Sequence, residues 1–147
     1  MQILEATIAD ASTIVDFQIA MALETEQLVL HHNTITSGVA HIFQTPADGL
    51  YLVVKISNNT VASCMITYEW SDWRSTRVWW LQSVYVIPEY RKQGVFTAIC
   101  MQVKSMAKAQ GCSLLRLYVE QHNAAAAATY IKNGFTKTHY HLFECSI

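Results

Sequence analysis

Charge is what this sequence has least of. Only 14% of its 147 residues are Asp, Glu, Lys or Arg, ten basic against eleven acidic, for a formal net charge of −1. Such a chain has no basic field to hold a polyanion at physiological salt, which argues against nucleic acid as a partner. Long apolar runs are missing too. Although 52% of residues are hydrophobic, no uninterrupted stretch approaches the roughly 18 to 20 residues of a membrane-spanning helix, so no membrane partner is expected. The opening MQILEATIAD carries acidic residues and no basic start before an apolar block, unlike a secretory signal. A soluble, cytoplasmic protein is the expectation. Cys64, Cys100, Cys112 and Cys145 are widely spaced, form no Cys-x-x-Cys pair and stand among apolar neighbours. That fits buried, reduced thiols better than a disulfide framework or a metal site. The only prolines, Pro46 and Pro88, fall between periodic segments, and no repeat or Ser-rich linker divides the chain. One domain over 1–147 is expected.

What is present supports a packed fold. The apolar fraction and 11% aromatics exclude disorder. A chain of this length buries roughly two-thirds of the surface its unfolded form exposes, so it needs no disulfide or metal staple. Because charge is scarce, each charged residue that interrupts an apolar stretch carries more information than usual.

Residues 2 to 6 read as a short strand. Thr7 and Asp10 then resemble a capping box, and Ile14, Phe17 and Met21 recur at helical spacing to about Leu23. A second helix is predicted from about Thr34 to Phe43, with His31 and His32 in a polar loop before it. Leu50 to Ile56 and Val61 to Tyr68 are β-rich runs joined by Ser57, Asn58, Asn59 and Thr60, a connection tolerant of positive φ that predicts a hairpin. Trp70 to Thr76 reads as a loop in which Asp72 and Arg74 pair internally or line a pocket. Val78 to Val86 is the longest strand candidate. Helical periodicity returns from Gly94 to Gln110, closed by Gly111. A strand over Ser113 to Val119, a short alanine-rich helix capped by Asn123 and ended by Gly134, and a strand over Phe135 to Phe143 complete the order.

The chemically informative segment is Val84-Tyr85-Val86-Ile87-Pro88-Glu89-Tyr90-Arg91-Lys92-Gln93-Gly94-Val95-Phe96. Strand, glycine turn and helix start together make an anion site, because first-turn amides lack helical partners and the macrodipole adds partial positive charge. Gly94 admits close backbone approach, and Arg91 and Lys92 supply counter-charge for a pyrophosphate. The plainer reading of the same residues is a tight turn with solvated basic side chains. A second pattern follows, Asn-x-x-Ala-x-x-x-Tyr-x-x-x-Gly-Phe, in which Asn123, Ala126 and Tyr130 share one helix face.

In both motifs and in element order the chain resembles the GNAT superfamily of acetyl-CoA-dependent N-acetyltransferases. Thr67 to Arg74, Trp79 to Val86 and Thr138 to Tyr140 are similar to a bacterial branch of undefined substrate. The resemblance implies an α/β (α+β) fold, a mostly antiparallel mixed sheet of six to seven strands flanked by about four helices. It implies acetyl-CoA as cosubstrate, without a metal. Val84, Tyr85 and Val86 would pair with the pantetheine arm like an added strand, and Arg91, Lys92, Gln93, Gly94, Val95, Phe96 and Thr97 would surround the pyrophosphate. Asn123 would bond the pantetheine or the helix start, and Tyr130 would protonate the leaving thiolate. Two positions depart from the family pattern: Phe96 stands where the phosphate loop usually ends in a small residue, and Trp80 stands where some relatives carry a glutamate base.

The proton of the amine must therefore go elsewhere. Glu24 and Glu26, beside Met21 and Leu28, suit a small cationic amine; a solvated helix end is the alternative. The base is left open between these and Glu69, with Asp72 also in the loop beyond it. His139 and His141 share a strand face, but no third ligand stands at readable spacing. The expected function is direct acetyl transfer to a primary amine in a ternary complex. The alternatives are a non-catalytic coenzyme A binding module and peptide or protein N-acetylation. The apolar final strand makes a homodimer conceivable.

Overall fold

A computed structural model describes residues 1–147. Its contacts divide the chain into two compact units, Met1–Leu117 and Tyr118–Ile147. The first holds an open sheet in the order β1-β2-β3-β4-β5, comprising β1 (Gln2–Glu5), β2 (Gly49–Ile56), β3 (Asn59–Ser71), β4 (Thr76–Val86) and β5 (Leu115–Arg116). All neighbours are antiparallel except β4 and β5, whose parallel pairing needs a crossover, supplied by helix α3 (Val95–Ala109).

Helix α1 (Ala11–Glu26) and helix α2 (His32–Gln44) precede β2. Both run slightly longer than the apolar spacing predicts, and His32 lies inside α2 instead of in a loop. The expected capping box between Thr7 and Asp10 forms at the entry to this helical region. The Thr7 amide and hydroxyl both donate to Asp10 Oδ2, at 2.9 and 3.1 Å, and Lys55 Nζ lies 2.9 Å from Oδ1. Burial pushes the Asp10 carboxyl up, but these partners outweigh it and the net shift is downward.

Directly opposed residues share a sheet face, so register assigns the layers. Tyr51 opposes Met65 and Val53 opposes Ser63; on that face Ile14, Val15 and Val39 of α1 and α2 pack with Tyr51 and Val53. Leu52, Cys64, Ile66 and Leu81 lie on the other face, all buried, and α3 contributes buried Ile99, Cys100 and Val103. Each fully buried aliphatic side chain contributes about 1.5–3 kcal/mol. Burial pushes the Cys64 thiol up to about 12 and the Cys100 thiol to about 11, which keeps both protonated and unreactive. Cys145 departs from the expected pattern by being exposed.

The β2–β3 hairpin turns on Ser57 and Asn58, at φ 50° and 65°, the two left-handed residues of a tight two-residue turn. The polar loop is shorter than expected because β3 and β4 extend into it; Asp72 Oδ1 accepts from the Trp73 amide at 2.8 Å instead of pairing with Arg74. In β4 the register slips: Met65 opposes Gln82, yet Ser63 opposes Tyr85, so Ser83 and Val84 face Cys64 together. Ser83, at φ 51°, is the bulged residue.

The second unit contains helix α4 (Ala124–Lys132), whose start is capped by Asn123: its Oδ1 accepts from the Ala126 amide at 3.0 Å. Gly134, at φ 83°, lies just beyond it. The expected strand over Phe135 to Phe143 does not form, and the expected Ser113 to Val119 strand shortens to Leu115–Arg116. The sheet therefore has five strands, not six to seven. Alternation supplies a strand pattern but not the neighbour whose hydrogen bonds make a strand, and Tyr140, Leu142 and Phe143 are exposed. No helix is long and apolar enough to cross a membrane.

Candidate active site

Strand β4 leads into the site. β5 pairs only with Trp79 and Trp80, so from Leu81 to Val86 this edge of β4 has no strand neighbour. Val84 and Val86 are half-buried, while Tyr85 is buried with its ring centroid 5.3 Å from that of Phe17. Past the strand, Pro88–Tyr90 makes a single 3₁₀ turn. Lys92 and Gly94 then adopt positive φ, 61° and 80°, which swing the chain into α3. No side chain caps that helix, and the Ala98 amide bonds back to the Gly94 carbonyl at 3.0 Å. The first-turn amides from Val95 to Thr97 precede that helical ladder and carry the positive end of the dipole. A Cβ on Gly94 would meet nothing within 4 Å, so glycine is required here by the positive φ and not by crowding. Lys92 and Gln93 are exposed, and the Gln93 side chain donates to the Glu89 carbonyl at 2.6 Å.

Arg91 and Glu24, read from the sequence as opposite ends of the site, meet. Arg91 Nη1 and Nη2 donate to Glu24 Oε1 and Oε2 at 2.5 and 2.7 Å, and Nε donates to the Val86 carbonyl at 2.8 Å. The guanidinium also stands over the Tyr85 ring, 5.5 Å from its centroid. Hydrogen bonding to Arg91 holds the Glu24 carboxyl below its usual range, and the same pairing raises Arg91. Glu26 is exposed and joins no ion pair.

Glu69 belongs to a second cluster. Its Oε2 accepts from the Trp80 indole at 2.5 Å, and Arg116 Nη1 donates to Oε1 and Oε2 at 2.8 and 3.0 Å. The indole hydrogen bond is the main cause that lowers the Glu69 carboxyl, with Arg116 and Arg74 adding to it. Beside this cluster the Gln82 amide donates to Thr67 Oγ1 at 2.6 Å. Thr67 opposes Trp80, and Met65 opposes Gln82, so this polar strip lies on the sheet face that also receives α1 and α2. No group of three or more His, Cys, Asp and Glu gathers as metal ligands.

In the second unit Tyr130 is half-buried, its ring 6.1 Å from that of Phe135 and edge-on to it. Asn123 is committed to the helix start. Neither Arg116 nor the indole of Trp80 is marked as a site group by any sequence motif. A lone cation in the apolar run Leu114-Leu115-Arg116-Leu117 was the available signal.

Comparison with known proteins bears on the fold and the family. The model of the acetyltransferase (GNAT) family matches residues 18–135. A crystal structure of a possible acetyltransferase from Clostridium difficile 630 superposes with a TM-score of 0.92 at 36% identity, covering 99% of this chain and 97% of that one. A predicted acetyltransferase from Clostridium acetobutylicum, solved with acetyl-CoA, shares the fold at a TM-score of 0.81 and 16% identity, covering 98% of this chain and 95% of that one. Among curated relatives, thialysine N-epsilon-acetyltransferase of Bos taurus is 38% identical over 63 residues, covering 43% of this chain and 36% of the relative. That of Sus scrofa is 37% identical over 73 residues, covering 46% and 42%. The match thus covers less than half the length of these curated relatives.

Proposed function

The chain belongs to the acetyltransferase (GNAT) family, and from that premise we propose that it transfers an acetyl group from acetyl-CoA to a primary amine, directly, in a ternary complex. The observation that carries this reading is the β4 edge at Val84 to Val86, which no strand pairs on that side, running into a helix start at Gly94 that no side chain caps. An extended amide-bearing arm fits the first, and a pyrophosphate fits the second. When bound, acetyl-CoA supplies an activated acetyl thioester. The amides from Gln93 to Thr97 hold the phosphates, with Lys92 as counter-charge. The β4 backbone at Val84 to Val86 orients the arm. The Tyr130 hydroxyl donates its proton to the departing thiolate, since an ordinary phenol stays protonated at neutral pH. The name of the bovine and porcine relatives supports a primary amine as acceptor. Carboxylates at Glu24 and Glu69 draw a cationic amine to this face, and the amine loses its proton through water to one of them.

A second reading rests on one observation: both carboxylates are held by arginines and shifted down, which weakens each as a base. That favours a coenzyme A binding module without turnover. Thiol release from acetyl-CoA over an amine panel, beside calorimetric coenzyme A binding, separates the two. Release with at least one amine supports the transferase; binding without release on any amine supports the module.

A further inference from the structure

The two arginine–glutamate pairs are not equivalent. Arg91 spends Nε, Nη1 and Nη2 on protein acceptors. Arg116 binds Glu69 through Nη1 alone, to both carboxylate oxygens. Its Nε and Nη2 form the two-donor edge of a planar guanidinium, the geometry that matches a carboxylate bidentately. The side chain is 31% exposed and lies over the Trp80 ring at 5.7 Å, which fixes the plane of the fork. Trp80 in turn fixes Glu69 through the indole hydrogen bond, so the anion and the cation of this cluster share one rigid support.

Position adds to chemistry. β5 meets β4 at Trp79 and Trp80 only, so Arg116 stands at the end of that pairing, on the face shared with Thr67 and Gln82. We infer that the Nε–Nη2 edge of Arg116, beside Glu69, receives the carboxylate of a zwitterionic amino-acid acceptor, whose ammonium pairs with Glu69. This inference rests on the acetyl-transfer reading and names its acceptor class. A zwitterion offers an anion to that edge and a cation to Glu69, whereas a diamine of equal length offers Glu69 the same ammonium but leaves the Nε–Nη2 edge of Arg116 without a carboxylate. Arg91 cannot serve in this way, because its fork is already filled.

Calorimetric binding of L-lysine and of 1,5-diaminopentane, its decarboxylated counterpart, with coenzyme A present, tests the inference. The wild-type protein is expected to bind lysine roughly tenfold more tightly than the diamine, the usual scale of one charge-assisted contact. Arg116→Gln is expected to erase that preference by weakening lysine while leaving the diamine equal or tighter, and Arg116→Lys to restore part of it. Melting curves establish that both variants fold. A wild-type protein without preference, including one that binds neither compound, overturns the inference, as does an Arg116→Gln variant that weakens both alike. Thiol release is read separately: lysine preference without acetyl transfer leaves the carboxylate site standing and removes only the transferase reading.

Discussion

Arg91 and Glu24 form a bidentate pair across 67 residues of sequence, joining the last turns of α1 to the loop that precedes α3. By sequence alone these residues belong to different ends of the site, one suited to phosphate and one to an amine. Their pairing means that a phosphate drawing on the Arg91 charge competes with a carboxylate already in place. Glu24→Gln is therefore expected to tighten coenzyme A binding several-fold, by releasing the guanidinium. Unchanged affinity in calorimetry would show that the loop amides act without Arg91.

The same pair has a pH signature. Pairing lowers the Glu24 carboxyl, so its contribution is present above the ordinary carboxylate range and is lost as pH falls through the lowered value. Both side chains are more than one-third exposed, at 36% and 45%, so solvent screening limits the effect to at most about 1 kcal/mol. Denaturant melts should show wild type above Glu24→Gln at neutral pH and the two converging in acid.

Gly94→Ala isolates the backbone of the phosphate loop. The added methyl meets no neighbour, so strain at φ 80° is its whole cost, on the order of 1 kcal/mol. Relaxing that strain rotates the amides that lead into α3. Weaker coenzyme A binding, accompanied by a small fall in melting temperature, is the expected outcome, and acceptor binding should stay unchanged.

Trp80→Phe removes the donor that contributes most to lowering Glu69. A hydrogen bond to the ionised form favours it, so its loss raises the Glu69 carboxyl toward the ordinary value. Carbon-13 NMR titration of the glutamate carboxyls checks this without recourse to activity. If Glu69 must be ionised for turnover, the acid limb of kcat/KM shifts upward by the same amount. An unmoved Glu69 resonance would mean that Arg116 and Arg74 set its ionisation without the indole.

Much of this architecture is legible from residue order because it is local. The apolar spacing of Ile14 and Phe17, the asparagine turn at Asn58 and the periodicity of Ile99 and Val103 each act over a few residues. Ser83 was not legible as a bulge, since serine has no intrinsic preference for φ 51°; the strand register imposes it. Glu69 and Arg116 lie 47 residues apart and meet only once β3, β4 and β5 are aligned. Alternation predicts which face a side chain takes, not which neighbour it reaches. For the segment after Phe135, alternation predicts a strand where no pairing occurs.

Tyr130 offers the sharpest test of chemistry. Its ring already packs edge-on to Phe135, so Tyr130→Phe keeps the aromatic contact and deletes only the hydroxyl. A general acid of this kind typically contributes a factor of about 10² to 10⁴. The variant is expected to lose turnover on that scale while coenzyme A affinity changes by no more than a few-fold. Stopped-flow thiol release and calorimetry give the two quantities independently. Equal losses in both would assign Tyr130 to cofactor binding, and the leaving thiolate would then take its proton from solvent.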